Sequence, residues 1–459
     1  MSTGSPRGPG IRLPHPFILL LGGVAVAAAL TWVLPAGAYQ RRTDTATGRA
    51  VVIPGTYARV APAPVTPMAA LIAVPRGMVA GADVILTILF AGATFVLLDA
   101  SGALGRLVRA VSGRTARPHV VVAAVALVFA TFGAIENMYE EIVALIPPLL
   151  LLSRTLGFGA ITALGMSLGA AVVGAAFGPT NPFVTVIALR FAELPQLSQP
   201  GLRFALLGAA VAVWIAWTLV MAGRESDEPD GTMGVATTTT DAEPDATYER
   251  PTGRDLLLIV VASAPIAVYV YGVLQFDWGF NELSALFLVS GLAIGLLCGR
   301  SLSDSGEGLL DAMKPMLAAA LFVGVARAIS VVLTDGRVID TIVHGLAAPL
   351  AGTPGVWAGI LMVPIHALVH IPVVSNSGHA VLTMPIMASL SDLLGVSRDA
   401  AVIAYQTGGA LMDMITPTNG ALLAMLLAAR VSYGRWLRFA VPGALLVALV
   451  GVAGIVFAR

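Results

Sequence analysis

Three carboxylates fall close together in an otherwise apolar stretch, Glu136-Asn137-Met138-Tyr139-Glu140-Glu141. An ionised carboxylate at the centre of a bilayer costs about 2.5–3.5 kcal/mol on insertion scales, so it must protonate, pair or face water. Asn137, Glu140 and Glu141 can therefore serve a positively charged group of a solute, a coupling Na⁺ or a titrating proton. Glutamates solvated at an interface are the plainer account. A second polar island, Ser375-Asn376-Ser377-Gly378-His379, supplies hydroxyl and amide oxygens. Hard cations favour such oxygens and freed backbone carbonyls. Ser and Asn also cap helices routinely. Two Pro-Thr-Asn triplets, Pro179-Thr180-Asn181 and Pro417-Thr418-Asn419, interrupt apolar stretches. Proline removes a donor and clashes with the preceding turn, so each helix opens there. Thr180, Asn181, Thr418 and Asn419 can then aim at one point. Asp413, four residues before Pro417, shares a helical face with the second break. A buried pair with Arg327 is its alternative.

Other groups carry less. His366 and His370 stand at i, i+4 without the glutamate of a metalloprotease motif, and intrahelical hydrogen bonding is the simpler reading. Ser377-Gly378-His379 could suggest an intramembrane hydrolase, but adjacency does not establish nucleophile–base geometry. No Walker A pattern is present, which argues against ATP hydrolysis.

The elements that position these groups form a repeat. An offset of 238 carries Pro147 onto Pro385, Leu152-Ser153 onto Leu390-Ser391, Leu156-Gly157 onto Leu394-Gly395, and one Pro-Thr-Asn onto the other. It carries Ala175 onto Asp413. Leu202-Arg203-Phe204-Ala205 is echoed by Leu437-Arg438-Phe439-Ala440. Matching interruptions in two halves of a membrane protein point to a transporter's solute site. Composition agrees: 57% hydrophobic and 11% charged residues, with mean hydropathy +0.88, exclude an ordinary soluble domain. Zero net charge implies no nucleic-acid partner, and the lone Cys298 leaves redox compartment unread.

Expected spans are 17–38, 82–100, 160–191, 202–222, 256–275, 280–299, 315–333, 399–430 and 436–457. The first is too long for a typical signal peptide and reads as a retained helix. Stretches 118–156 and 355–394 are too long for one crossing and have polar middles, so each reads as a re-entrant hairpin. The chain then divides into a first half (1–222), an acidic, disordered cytoplasmic linker (223–254) and a second half (255–459). Arg106, Arg109, Arg114 and Arg117 before the first hairpin, with Arg430, Arg435 and Arg438 after the second broken helix, set the orientation. The two copies then have opposite topology.

Glu140-Glu141, the run from Ser375 to Pro385, the paired Pro-Thr-Asn breaks and Trp32-Val-Leu-Pro-Ala-Gly37 together resemble the C4-dicarboxylate anaerobic carrier family, YfcC-type branch, within the ion transporter superfamily. The resemblance implies a secondary carrier for C4-dicarboxylates or for basic amino acids such as arginine and ornithine. It also implies a homodimer with scaffold and transport domains. Relatives tend to carry Ser-Gly-Ser-Gly-Gln where this chain has Ser375-Asn376-Ser377-Gly378-His379, so the substrate stays open.

The expected fold is an all-α polytopic membrane protein: an inverted-topology repeat with two hairpins, two interrupted helices and about nine spans. The expected function is secondary active transport of a small carboxylate or amino acid by alternating access, with an intramembrane hydrolase or a channel as alternatives. No cofactor is expected beyond a coupling Na⁺ or H⁺, the Na⁺ lying at the tips and breaks. The expected surroundings are a lipid bilayer of bacterial inner-membrane type.

Overall fold

The structure is a computed structural model that describes residues 16–43, 50–103, 106, 117–137, 139–140, 142–195, 197–224, 252–276, 278–353 and 355–458. Most of the linker and Glu141 therefore lie outside the described residues.

Eighteen helices matter for the site. The first half contains α1 (Pro16–Val33), α2 (Pro67–Ala80), α3 (Ala82–Ala100), α4 (Pro118–Glu136), α5 (Ile142–Thr155), α6 (Ala160–Phe177), α7 (Pro182–Phe191) and α8 (Pro200–Ala222). The second contains α9 (Gly253–Phe276), α10 (Phe280–Leu297), α11 (Leu302–Met313), α12 (Leu317–Asp335), α13 (Ile339–Ala347), α14 (Val356–His370), α15 (Asn376–Leu394), α16 (Arg398–Gly408), α17 (Gly420–Ala428) and α18 (Tyr433–Phe457). Among the described residues seven helices are long and apolar enough to cross a membrane, including Pro118–Ile135, which was expected only as one arm of a re-entrant hairpin. The protein is an all-α, multi-pass membrane protein.

Helices α2, α11 and α13 were not expected as elements. Each is short, and α11 carries Asp304, Glu307 and Asp311, so none reads as a membrane-length apolar run. Two small antiparallel pairs also form: β1 (Gly37–Ala38) with β4 (Ala58–Arg59), and β2 (Arg41–Thr43) with β3 (Ala50–Val52). The β3 strand packs on α15.

Packing separates two regions. Helices α3, α9, α10 and α11 share a small apolar cluster around Phe95, Tyr269, Leu283, Phe287 and Leu309. Hydroxyl bonds tie α3 to α10, with Thr87 and Ser284 oxygens 2.7 Å apart and Thr94 donating to the Phe287 carbonyl at 3.0 Å. Both hairpins and both broken helices belong to a larger cluster. There, α4 lies so close to α6 that a Cβ on Gly174 would sit 1.9 Å from the Ala130 carbonyl oxygen. Gly408 of α16 meets the Val363 carbonyl of α14 in the same way, at 2.0 Å. Small residues let membrane helices approach to this distance. The halves are fastened by buried Arg203, whose guanidinium donates to Asp399 at 2.6 Å and to Gln406 at 2.9 Å. Gln406 in turn donates to the Ala176 carbonyl and to Thr185 on broken helix one.

Candidate functional site

Tip one begins where α4 ends. Asn137 caps it in the left-handed conformation, φ 58°, a region Asn tolerates better than other side-chain-bearing residues. Tyr139 is buried within reach of Asn419 and Asp413, and its hydroxyl lies 3.5 Å from Glu140. Half-buried Glu140 feels the charges of Arg327, Asp413 and Asp83.

Tip two opens α15. The Ser375 hydroxyl accepts from Gly378 N–H at 3.3 Å, so the capping role expected for this segment is present. Asn376 is buried, and its Nδ2 donates to Asp413 Oδ2 at 2.7 Å and faces Asn137 Oδ1 at 3.5 Å. A carboxylate only accepts, so this contact fixes which end of the amide is nitrogen. Asn376 Oδ1 then remains buried without a hydrogen-bond partner. Ser377 is half-buried next to it.

The second break carries the charge. A 3₁₀ turn, Ala410–Met414, presents buried Asp413, and Trp436 anchors that turn by donating to the Met414 carbonyl at 2.7 Å. Asn419 caps α17 through Leu422 N–H, while its Nδ2 donates to the Asp413 carbonyl at 3.0 Å and lies 3.3 Å from Asp413 Oδ1. Thr418 donates to the Ile371 carbonyl at 2.6 Å, linking the break to tip two.

The first break is built differently. Asn181 Oδ1 accepts from both Phe183 and Val184 N–H at 2.9 Å, and its Nδ2 donates to the Gly133 carbonyl of α4 at 2.7 Å. Thr180 is exposed. The two tips and the second break thus meet around Asp413, whereas the first break joins them through the backbone of hairpin one.

Sequence reasoning undervalued the histidines. His366 Nδ1 lies 3.0 Å from His379 Nε2, His379 Nδ1 lies 3.1 Å from His370 Nδ1, and His370 Nε2 lies 2.9 Å from Asp413 Oδ1. All three rings are fully buried. His366 and His370 therefore bond across to α15 and the second break rather than within their own helix. Asp413 pairs with His370, and Arg327 faces Glu140 instead. Gly409 leaves the room: a Cβ there would lie 3.0 Å from the His379 ring. The missed signal was the i, i+4 pair combined with a third histidine on a polar tip. Among the described residues no group of three or more His, Cys, Asp or Glu side chains is arranged around a metal position.

In this membrane fold two polar tips and a broken helix converge on one buried carboxylate. The family model for the C4-dicarboxylate anaerobic carrier matches residues 13–459. The chain belongs to the C4-dicarboxylate anaerobic carrier family. This carrier is 30% identical over 372 residues to the Escherichia coli K12 protein named "Putative basic amino acid antiporter YfcC", covering 77% of this chain and 73% of that one. It is 26% identical to an uncharacterized protein of Haemophilus influenzae Rd, covering 94% of each. Among solved structures it is similar to MtrF of Neisseria gonorrhoeae, from a class of antimetabolite efflux pumps, at 15% identity and TM-score 0.43, covering 97% of this carrier and 95% of MtrF. The YdaH transporter of Alcanivorax borkumensis gives 17% identity and TM-score 0.41, with 97% and 98% covered.

A cavity of about 680 Å³ lies between the strands and tip two. Arg41, Arg337 and Asp340 are among its lining residues, as are Val373, Gly378, Val381 and Leu382 at and after tip two.

Proposed function

We propose that this carrier is a secondary active exchanger for small solutes bearing a positive amino or guanidinium group, the basic amino acids being the leading class. The supporting observation is the unpartnered, buried Asn376 Oδ1 beside the Asp413 carboxylate. A buried acceptor left unpaired costs about 1–3 kcal/mol, which a donor on an arriving solute would recover. Asn137 Oδ1 and Glu140 add acceptors on the opposing tip, so the cluster suits N–H donors better than a second carboxylate. The relative's printed name, a basic amino acid antiporter, agrees with that chemistry. The cavity beside tip two offers a solute an approach from the strand side. The proposal takes the protein as a homodimer in a bacterial cell membrane.

Proteoliposomes loaded with unlabelled ornithine and given labelled arginine outside test this. Saturable counterflow of arginine, with none for succinate or fumarate, is the expected result. Exchange of succinate without arginine would overturn the cationic substrate while leaving a carrier. Flux without counterflow would indicate a channel, and cleavage without flux a hydrolase.

A further inference from the structure

The three buried histidines form a chain with a direction. When Asp413 is ionised both its oxygens accept, Oδ2 from Asn376 and Oδ1 from His370, so His370 Nε2 then carries the proton. A neutral imidazole carries one N–H, so His370 Nδ1 is then an acceptor and His379 Nδ1 must donate to it. His379 Nε2 becomes an acceptor in turn, and His366 Nδ1 donates to it. One nitrogen remains at the far end. His366 Nε2 is left as a bare acceptor, and it is the one ring nitrogen among these three histidines that is buried without a hydrogen-bond partner. Every tautomer follows from the charge on Asp413, and the orphan falls where that logic requires an open end.

We propose that His366, His379 and His370 relay a proton to Asp413, making H⁺ the coupling ion of the exchange proposed above, on which this inference rests. A proton binds His366 Nε2, and the Nδ1 proton of His366 passes to His379 Nε2. The Nδ1 proton of His379 passes to His370 Nδ1, and the Nε2 proton of His370 passes to Asp413 Oδ1. In each ring one N–H bond forms and one breaks, so all three rings finish neutral in the opposite tautomer. Asp413 finishes as a carboxylic acid. No imidazolium has to persist in the buried chain, which avoids the cost of an uncompensated charge there. The other titratable groups facing this chain are Tyr405, set edge-on to both His366 and His379, and Tyr139, Glu140 and Arg327 around the Asp413 end. Protonated Asp413 no longer attracts a cationic solute. Proton and solute therefore compete for one carboxylate, which is a coupling rule for antiport.

The test substitution is His366→Asn. Its amide nitrogen takes the place of Nδ1 and keeps the bond to His379, while the far nitrogen is gone. Proteoliposomes carrying a trapped pH dye are assayed for labelled arginine counterflow when loaded with ornithine and, in vesicles without ornithine, for arginine accumulation driven by a pH gradient and for arginine-induced proton movement. Wild-type protein is expected to do all three. His366→Asn is expected to keep counterflow and to lose proton movement by about 100-fold, the scale of a positioned proton-transfer group. Gradient-driven accumulation and proton movement that persist in the variant would overturn the relay. Wild-type counterflow with no proton movement would overturn it as well and leave the carrier reading intact. Absence of counterflow for every solute would remove the carrier reading and the relay with it. Independently of any variant, ¹⁵N-histidine spectra should show His366 and His379 protonated at Nδ1 and His370 at Nε2. Full reversal of all three tautomers is expected once Asp413 is protonated, and a set that matches neither arrangement rejects the relay.

Discussion

The two Pro-Thr-Asn breaks share a backbone device and differ in what they do with it. At the first, Asn181 spends all three of its side-chain hydrogen bonds on backbone: two cap α7 and one holds Gly133 of hairpin one. At the second, Asn419 caps α17 with its oxygen but turns its nitrogen toward Asp413. The offset of 238 that carries Gly133 onto Ile371 shows the exchange of roles, because there Thr418 holds the hairpin carbonyl instead. That release frees Asn419 to face a charge. The same offset carries Ala175 onto Asp413 and Phe132 onto His370. The first copy is a closed joint, and the second is a polar site built on the same joint.

The strongest way to break this contrast is to charge the closed joint. Ala175 is buried at 2% exposure, and no histidine stands where His370 would be. Ala175→Asp should destabilise the fold by about 3–5 kcal/mol, as expected of an unpaired buried charge. Thermal unfolding of the detergent-solubilised protein checks this, and wild-type stability would mean that the first joint can also host a carboxylate. Next in size is Asp413→Asn, which removes the charge that orders His370, Asn376 and Asn419. Loss of one charge-assisted bond is worth about 1.5–3 kcal/mol, so exchange should fall by about 10–100-fold. Initial rates of counterflow at equal reconstituted protein measure it.

A smaller effect is expected for Asn181→Ala. Losing a helix cap and one of the two hydrogen bonds to the Gly133 carbonyl, which keeps its bond from Asn137 N–H, should lower stability by about 1–2 kcal/mol. The unfolding midpoint should drop. Smallest is Tyr405→Phe, which removes the hydroxyl donated to the Asn376 carbonyl at 2.7 Å. About 1 kcal/mol of stability should go, read by the same unfolding assay, with the histidine chain intact.

Much of this was legible in the sequence. Over-long apolar runs with polar middles marked the two helix pairs, and the Pro-Thr-Asn triplets marked the breaks, because helix-opening prolines and polar tips in apolar runs leave a strong local signature. Asn376, Asp413 and Asn419 were found as candidates for the same reason. What was not legible depends on side-chain direction across helices. Nothing in the spacing of His366 and His370 says that they face His379 rather than their own helix backbone, since α14 must first be docked on α15 and α16. The unequal use of Asn181 and Asn419 was likewise hidden, because both triplets read identically. Short α2 and α11 escaped notice through length and polarity, although α2 is pressed against α12 so closely that a Cβ on Gly77 would lie 2.4 Å from the Gly324 carbonyl oxygen.

The central claim, that one shared break is structural and the other faces the solute, is tested most directly by counterflow of labelled arginine in Asn181→Ala and Asn419→Ala. Rates are normalised to the folded protein recovered from size-exclusion chromatography. The account predicts a wild-type rate for Asn181→Ala and a fall of about tenfold for Asn419→Ala, the loss of one bond to a charged group. Equal losses in the two variants would make the asparagines equivalent ligands and contradict it.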